Sequence, residues 1–281
     1  MRNYLIPRLG RVKLAQLSPQ HVRELHAWML NEKKLSLTTV NHTHGVLGHA
    51  LKDAQRMGLV ARNVAELVDP PRKNKRRSVI YTPEQLAKLL EALKGEPIEP
   101  IITLSATTGA RLGELLAVKR ANVDLDHATI TIHTGRAQVE DGWADTEPKT
   151  DAANRTISLT AHAVALLREH RKAQIERRLW LGDAWQDNDY VFPNEVGGSQ
   201  VHSVIDHRFK KLVTQVGLPP IRIHDLRHTV GSLLLAQGVP VPEVARILGH
   251  ASPDITYRLY AHAIPQAQRR ALDAMERILK G

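Results

Sequence analysis

The stretch from Ile223 to His262 constrains this chain more than any other. Leu233, Leu234, Leu235, Val244, Ile247 and Leu248 recur at the spacings of helices that bury one face. Ionisable side chains are set among them. His224, Arg227 and His228 open the pattern, His250 follows a Leu-Gly turn, and Tyr260 comes ten residues later. The helices that must pack a core therefore also carry histidine, arginine and tyrosine, with no cysteine and no carboxylate pair. Such a set suits chemistry on an anion, and phosphate is the obvious one.

Charge narrows the partner. Lys and Arg number 39 against 29 Asp and Glu, a net +10 over 281 residues. That balance favours a polyanion, nucleic acid before an anionic membrane surface. The chain has no cysteine, which excludes disulfides and thiolate metal sites and fits a reducing cytoplasm. No apolar run approaches the length of a membrane span, and no signal-peptide core opens the sequence. The expectation is a soluble intracellular protein on DNA or RNA, long enough for one large domain or two smaller ones.

Two units can be traced along the chain. Residues 1–17 are too short and mixed to fold alone. Ser18-Pro19 supplies an N-cap and a first-turn proline for a helix through about Glu32, with Val22, Leu25, Trp28 and Met29 on one face. Ser36 caps a second helix to Met57, stopped by Gly58, whose face carries Val40, Val46, Leu47, Ala50 and Leu51. A short third helix is expected between Leu59 and Val68. Asp69-Pro70-Pro71 closes this small all-α unit, residues 1–77. The basic run at 70–77 holds Lys73, Lys75, Arg76 and Arg77; it reads equally as a solvated linker or as a strap along phosphates.

Thr82-Pro83-Glu84-Gln85 is a capping box that opens a second unit, residues 78–281. Leu86, Leu89, Leu90 and Leu93 form the stripe of its first helix. An apolar helix from Ile98 ends at Thr108-Gly109-Ala110, and helical periodicity restarts at Arg111, a position where a guanidinium and backbone donors can share one phosphate. Ala128–His133 and Asn154–Leu159 alternate like strands. The polar segment between them holds Lys149 before a Thr-Asp turn signal, at the expected tip of a small antiparallel sheet. A basic helix over 161–179, a loop with Asp183, Asp187 and Asp189 that lacks the glycine and glutamate of a calcium loop, a buried segment at 190–193 and a helix over 199–216 follow. A last helix is expected over 266–280, with Ala271, Leu272, Met275, Ile278 and Leu279 on one face. The fold class is mainly α with a small antiparallel β-sheet. No phosphate-binding glycine loop or dinucleotide fingerprint is present, so no nucleotide cofactor is implied.

Single residues have plain explanations: a histidine after Leu-Gly caps a helix, and a turn lysine is solvated. His224 and His228 stand four apart, the spacing of a zinc pair, but Arg227 lies within the motif and no third ligand follows at a recognised spacing. The set in order is more specific. Gly109-Ala110-Arg111-Leu112-Gly113-Glu114-Leu115, Lys149, His224-x-x-Arg227, Leu248-Gly249-His250 and Tyr260-Ala261-His262 together resemble the tyrosine recombinases, in particular the phage-type integrases. Ile6-Pro7-Arg8-Leu9-Gly10 through Leu17-Ser18-Pro19 is similar to the interior of that family's core-binding domain, so nearly the whole chain is covered.

The resemblance implies a site-specific DNA recombinase or integrase of phage or mobile-element type. Tyr260 would attack a phosphodiester to give a 3′-phosphotyrosine and a free 5′-hydroxyl. Arg111 and Arg227 would grip the non-bridging oxygens, Lys149 would protonate the departing oxygen, His224 would move protons near the nucleophile, and His250 would donate to the phosphate. Glu114 looks like a supporting residue. With two arginines supplying the charge, no metal and no cofactor are needed. Implied partners are double-stranded DNA, a homotetramer built on DNA through the C-terminal helix, and accessory DNA-bending or directionality factors, in the cytoplasm at the nucleoid. Residues 1–77 would be a truncated core-binding domain, because the family's usual first helix has no counterpart here, and residues 78–281 the catalytic domain. A type IB topoisomerase, or an element remnant that binds DNA without recombining, remains an alternative.

Overall fold

The computed structural model describes residues 2–72, 78–133, 135–139, 142–146, 154–260, 275, 276, 278 and 279. Two compact units emerge, Met1–Arg77 and Ser78–Gly281. The first is all-α: α1 (Leu5–Leu9), α2 (Pro19–Ala27) continued by a π-helical turn (Trp28–Glu32), and α3 (Leu37–Arg56). Ser36 caps α3 by accepting from the Thr39 N–H at 3.2 Å, and Gly58 takes the left-handed conformation beyond its end. Leu5, Val22, Leu25, Met29, Val40, Leu47 and Leu51 make the core, so the short N-terminal segment folds onto α2 and α3.

Two expectations for this unit are corrected. Ala50 is exposed, since Leu47 and Leu51 already define the buried line and residue 50 lies about 100° away from residue 51. The segment from Leu59 to Val68 is not an α-helix. It contains a single 3₁₀ turn, Val64–Leu67, because Asn63 spends its side chain locally. Its Oδ1 accepts from the Ala65 N–H at 3.1 Å, and its Nδ2 donates to the Gly48 carbonyl at 2.9 Å.

The second unit holds α4 (Pro83–Ala92), α5 (Glu99–Thr108), α6 (Leu112–Ala117), β1 (Val123–Asp124), β2 (Thr129–Ile132), β3 (Gly135–Val139), β4 (Gly142–Thr146), β5 (Arg155–Ser158), α7 (Ala161–Leu181), α8 (His202–Gln215), α9 (Ile223–Ala236), α10 (Val241–Leu248) and α11 (Pro253–Tyr260). The capping box at Thr82 is present, with the Thr82 N–H bonded to Gln85 Oε1 at 3.0 Å. Strands β1, β2 and β5 form an antiparallel sheet in that order, with Ile130 opposite Ile157. β3 and β4 pair as a separate antiparallel hairpin within a segment that reads as merely polar. The core gathers α4 to α8, the sheet and the start of α9 around residues such as Leu89, Ile102, Leu115, Ile130 and Phe209. A smaller cluster, Leu235, Val244, Leu248 and Tyr260, locks α9, α10 and α11 together. Tyr81 ties the entry of the unit to α9 through its N–H, which donates to Thr229 Oγ1 at 3.1 Å.

Candidate active site

The site begins where α5 stops. Gly109 ends that helix at φ +68°, a conformation open to glycine at little cost, and the reversed chain places Arg111 at the N-cap of α6. Glu114, one turn into α6, accepts from the Arg111 N–H at 2.8 Å and pairs with Arg111 Nη1 at 2.6 Å. Arg155 on β5 meets the same carboxylate from the other side, Nη2 at 2.8 Å and Nη1 at 3.3 Å. Arg155 also donates through Nε to the Ile247 carbonyl of α10 at 2.8 Å. Burial pushes the Glu114 carboxyl up, but Arg155 and Arg111 outweigh it and hold the group below its ordinary range. The buried anion is thus ionised and braces two cations.

Arg227 comes in from α9, whose first turn is fixed by Asp225 accepting from the Arg222 N–H at 3.1 Å. Arg227 is 2% exposed, and its Nη1 donates to the Gly109 carbonyl at 2.9 Å. Its Nη2 has no hydrogen-bond partner among the described residues. Burial, then Arg111, pull its guanidinium down to about 9, still charged at neutral pH. A buried guanidinium with an unused donor is chemically suited to an anion, since such groups are otherwise paired.

Three rings lie near these cations. His224 is pulled down to about 4 by burial and by the neighbouring His228 and Arg227. His250, two residues past α10, is pulled down to about 4 by burial, Arg227 and Arg111, and its Nδ1 lies 2.7 Å from Thr256 Oγ1. Both are neutral at pH 7. Tyr260, at the end of α11, is 1% exposed; burial pushes its phenol up to about 12, against the pull of Arg227 and Arg111. The His250 ring stacks on it at 6.5 Å and 17°. Tyr257, three residues earlier, is 48% exposed.

Arg111, Glu114, His224, Arg227, His250 and Tyr260 therefore converge as a set. Lys149, Lys73, Lys75, Arg76 and Arg77 lie outside the described residues, as does most of the 266–280 segment. Arg155 escaped the sequence reading. Its signal was present: in Arg155-Thr156-Ile157-Ser158 it shares the inward face with Ile157, and an arginine on a buried strand face needs a partner. In sequence His228 belongs to the ionisable set that opens this stretch and forms half of a zinc-like pair, with no catalytic role implied for it. Its ring meets His224 edge-on at 5.2 Å, and its Nδ1 lies 3.2 Å from Tyr260 Oη. Among the described residues no three His, Asp or Glu side chains converge as metal ligands would, and no helix is long and apolar enough to cross a membrane.

Comparison with known proteins gives the chain's family. The sequence is 30% identical over 207 residues to a XerC-like tyrosine recombinase of Caldanaerobacter subterraneus subsp. tengcongensis, covering 69% of this chain and 53% of that relative. The match thus spans about half the length of that recombinase. An integrase of Streptomyces ambofaciens is 28% identical over 291 residues, 99% of this chain and 73% of the relative. In fold the chain is similar to the Tn1549 transposon integrase solved with a circular intermediate DNA, at TM-score 0.78 and 20% identity over 98% of this chain and 92% of that one. It is also similar to the XerH recombinase bound to a palindromic difH substrate, at TM-score 0.64 and 20% identity over 92% and 73% of the two chains. The profile of the phage integrase family matches residues 80–267. The chain belongs to the phage integrase family, the tyrosine recombinases.

Proposed function

We propose that this chain is a site-specific DNA recombinase that cuts and rejoins duplex DNA through a 3′-phosphotyrosine. The observation that carries the reading is the buried Arg227 with its unused Nη2, set beside Arg111 and the Tyr260 phenol. A phosphodiester entering this pocket gives Nη2 its missing acceptor. Negative charge grows on the non-bridging oxygens as the pentacoordinate transition state forms, and two fixed guanidiniums meet it without reorganising. Neutral His250 is suited to donate a hydrogen bond to the phosphate, and neutral His224 to pass a proton near it. Lys149 is the acid assigned to the departing 5′-oxygen, because an unassisted alkoxide leaves poorly. The phosphotyrosyl ester conserves the bond, so rejoining needs no nucleotide. The net charge of +10 and the basic run at 70–77 suit ground-state phosphate contacts. Relatives named as integrases, and fold neighbours solved on DNA, support duplex DNA as the partner.

The test is a nicked duplex cut from the DNA that flanks the gene, on which cleavage traps the enzyme covalently. Tyr260→Phe abolishes the adduct while leaving folding and DNA binding intact, Tyr257→Phe retains it, and EDTA does not diminish it. An adduct on Tyr257, or activity that Mg²⁺ restores after chelation, refutes the assignment.

A further inference from the structure

The face of α9 that presents Arg227 also carries a seat for the Tyr260 ring. Gly231 lies beneath it: a β-carbon there would fall 2.6 Å from Tyr260 Cζ and 2.9 Å from Oη, closer than any side chain tolerates. One turn earlier, His228 Nδ1 reaches the hydroxyl itself at 3.2 Å, with the two rings 5.8 Å apart. His224 meets the His228 ring edge-on, and among the described residues no hydrogen bond joins His224 to Oη. The side chain placed to take the phenolic proton is therefore not the one that the family resemblance assigns to proton transfer.

We propose that His228 is the general base for Tyr260 and that Gly231 sets the distance at which it works, an inference that rests on the recombinase reading above. The step balances simply. As Oη bonds to phosphorus, the O–H pair becomes the new O–P bond and the proton passes to Nδ1 of a His228 protonated at Nε2, giving an imidazolium. The P–O5′ bond breaks with its electron pair on O5′, which takes its proton from Lys149. In rejoining, the 5′-hydroxyl returns its proton to Lys149 and the imidazolium hands its own back to the leaving phenolate. A base is needed because the buried phenol ionises far above neutral pH. Geometry allows one rival role for the same contact, a clip that merely stores the buried ring until DNA arrives.

His228→Asn keeps a neutral acceptor near the Nδ1 position but removes the basic nitrogen. On the nicked duplex this variant should form adduct about 100-fold more slowly, with the melting temperature and DNA affinity of the unaltered chain. A fluorinated tyrosine at position 260, whose phenol is more acidic, should restore most of that loss. Gly231→Ala, which displaces the ring although alanine is the better helix former, should slow adduct formation likewise. Where His228→Asn lowers the melting temperature, His228→Gln takes its place. An undiminished or faster adduct in His228→Asn makes the contact a storage clip, and a loss that the fluorinated tyrosine does not repair makes it structural; either overturns the base while the recombinase reading stands. No adduct from the unaltered chain overturns both.

Discussion

At the scale of single residues, the site turns on one buried carboxylate asked to hold two guanidiniums. Glu114 and Arg155 are 6% and 8% exposed, so their pairing is made away from water, where losing one partner strands the other. Arg155 touches Glu114 and the α10 backbone, and through Glu114 it positions Arg111. Arg155→Met should cost about 3 kcal/mol of stability by leaving the carboxylate underpaired. Adding Glu114→Gln removes that stranded charge while keeping an acceptor for the Arg111 N–H, so the double variant should regain most of the stability. It should not regain cleavage, because Arg111 still lacks its brace. Denaturant unfolding and adduct formation, measured on both variants, separate the two roles; a double variant that cleaves like the unaltered chain would show that Arg155 only fills space.

At the scale of elements, the site is where helices end and begin. α5 stops at Gly109, and that residue does two jobs: its positive φ reverses the chain, and its carbonyl accepts from Arg227. A β-carbon there would also meet Leu248 Cδ2 at 2.5 Å, inside the small core that seats Tyr260. Gly109→Ala should therefore lose about 1–2 kcal/mol from the left-handed backbone alone. It should lower cleavage as well, since the carbonyl that fixes Arg227 shifts with the strained turn. Calorimetry and adduct rates measured together check this, and a variant as stable and as active as the original would mean that the turn is not under tension.

At the scale of the molecule, the chain divides into two units, Met1–Arg77 and Ser78–Gly281, and the second carries exposed apolar residues near its end. Met275, Ile278 and Leu279 are helical and 53%, 72% and 78% exposed, an arrangement that suits docking onto a second copy. Removal of residues 264–281 is expected to leave binding to one DNA site nearly unchanged while reducing recombination between two. Gel-shift affinity set against two-site recombination measures the difference. Normal assembly of the shortened chain on paired sites would refute docking between copies.

The sequence by itself determined what local chemistry can write. Helix starts at Ser36 and Thr82, the break at Gly109, and the strand alternation at 128–133 and 154–159 rest on near-neighbour rules of capping, turn residues and period, while the set Arg111, His224, Arg227, His250 and Tyr260 is what the family resemblance implies. The 59–68 segment failed because a side chain, Asn63, took over bonds that helical propensity would have given to the backbone. Only the tertiary structure decided who touches whom across long loops. Arg155 and Glu114 are far apart in sequence, as are Arg227 and the Gly109 carbonyl, and nothing local says that they meet. His228 shows the same limit most sharply. In sequence it stands beside His224 and reads as half of a pair, and the choice of which histidine faces Tyr260 was made by the packing of α11 against α9, where the missing side chain of Gly231 left room for the ring.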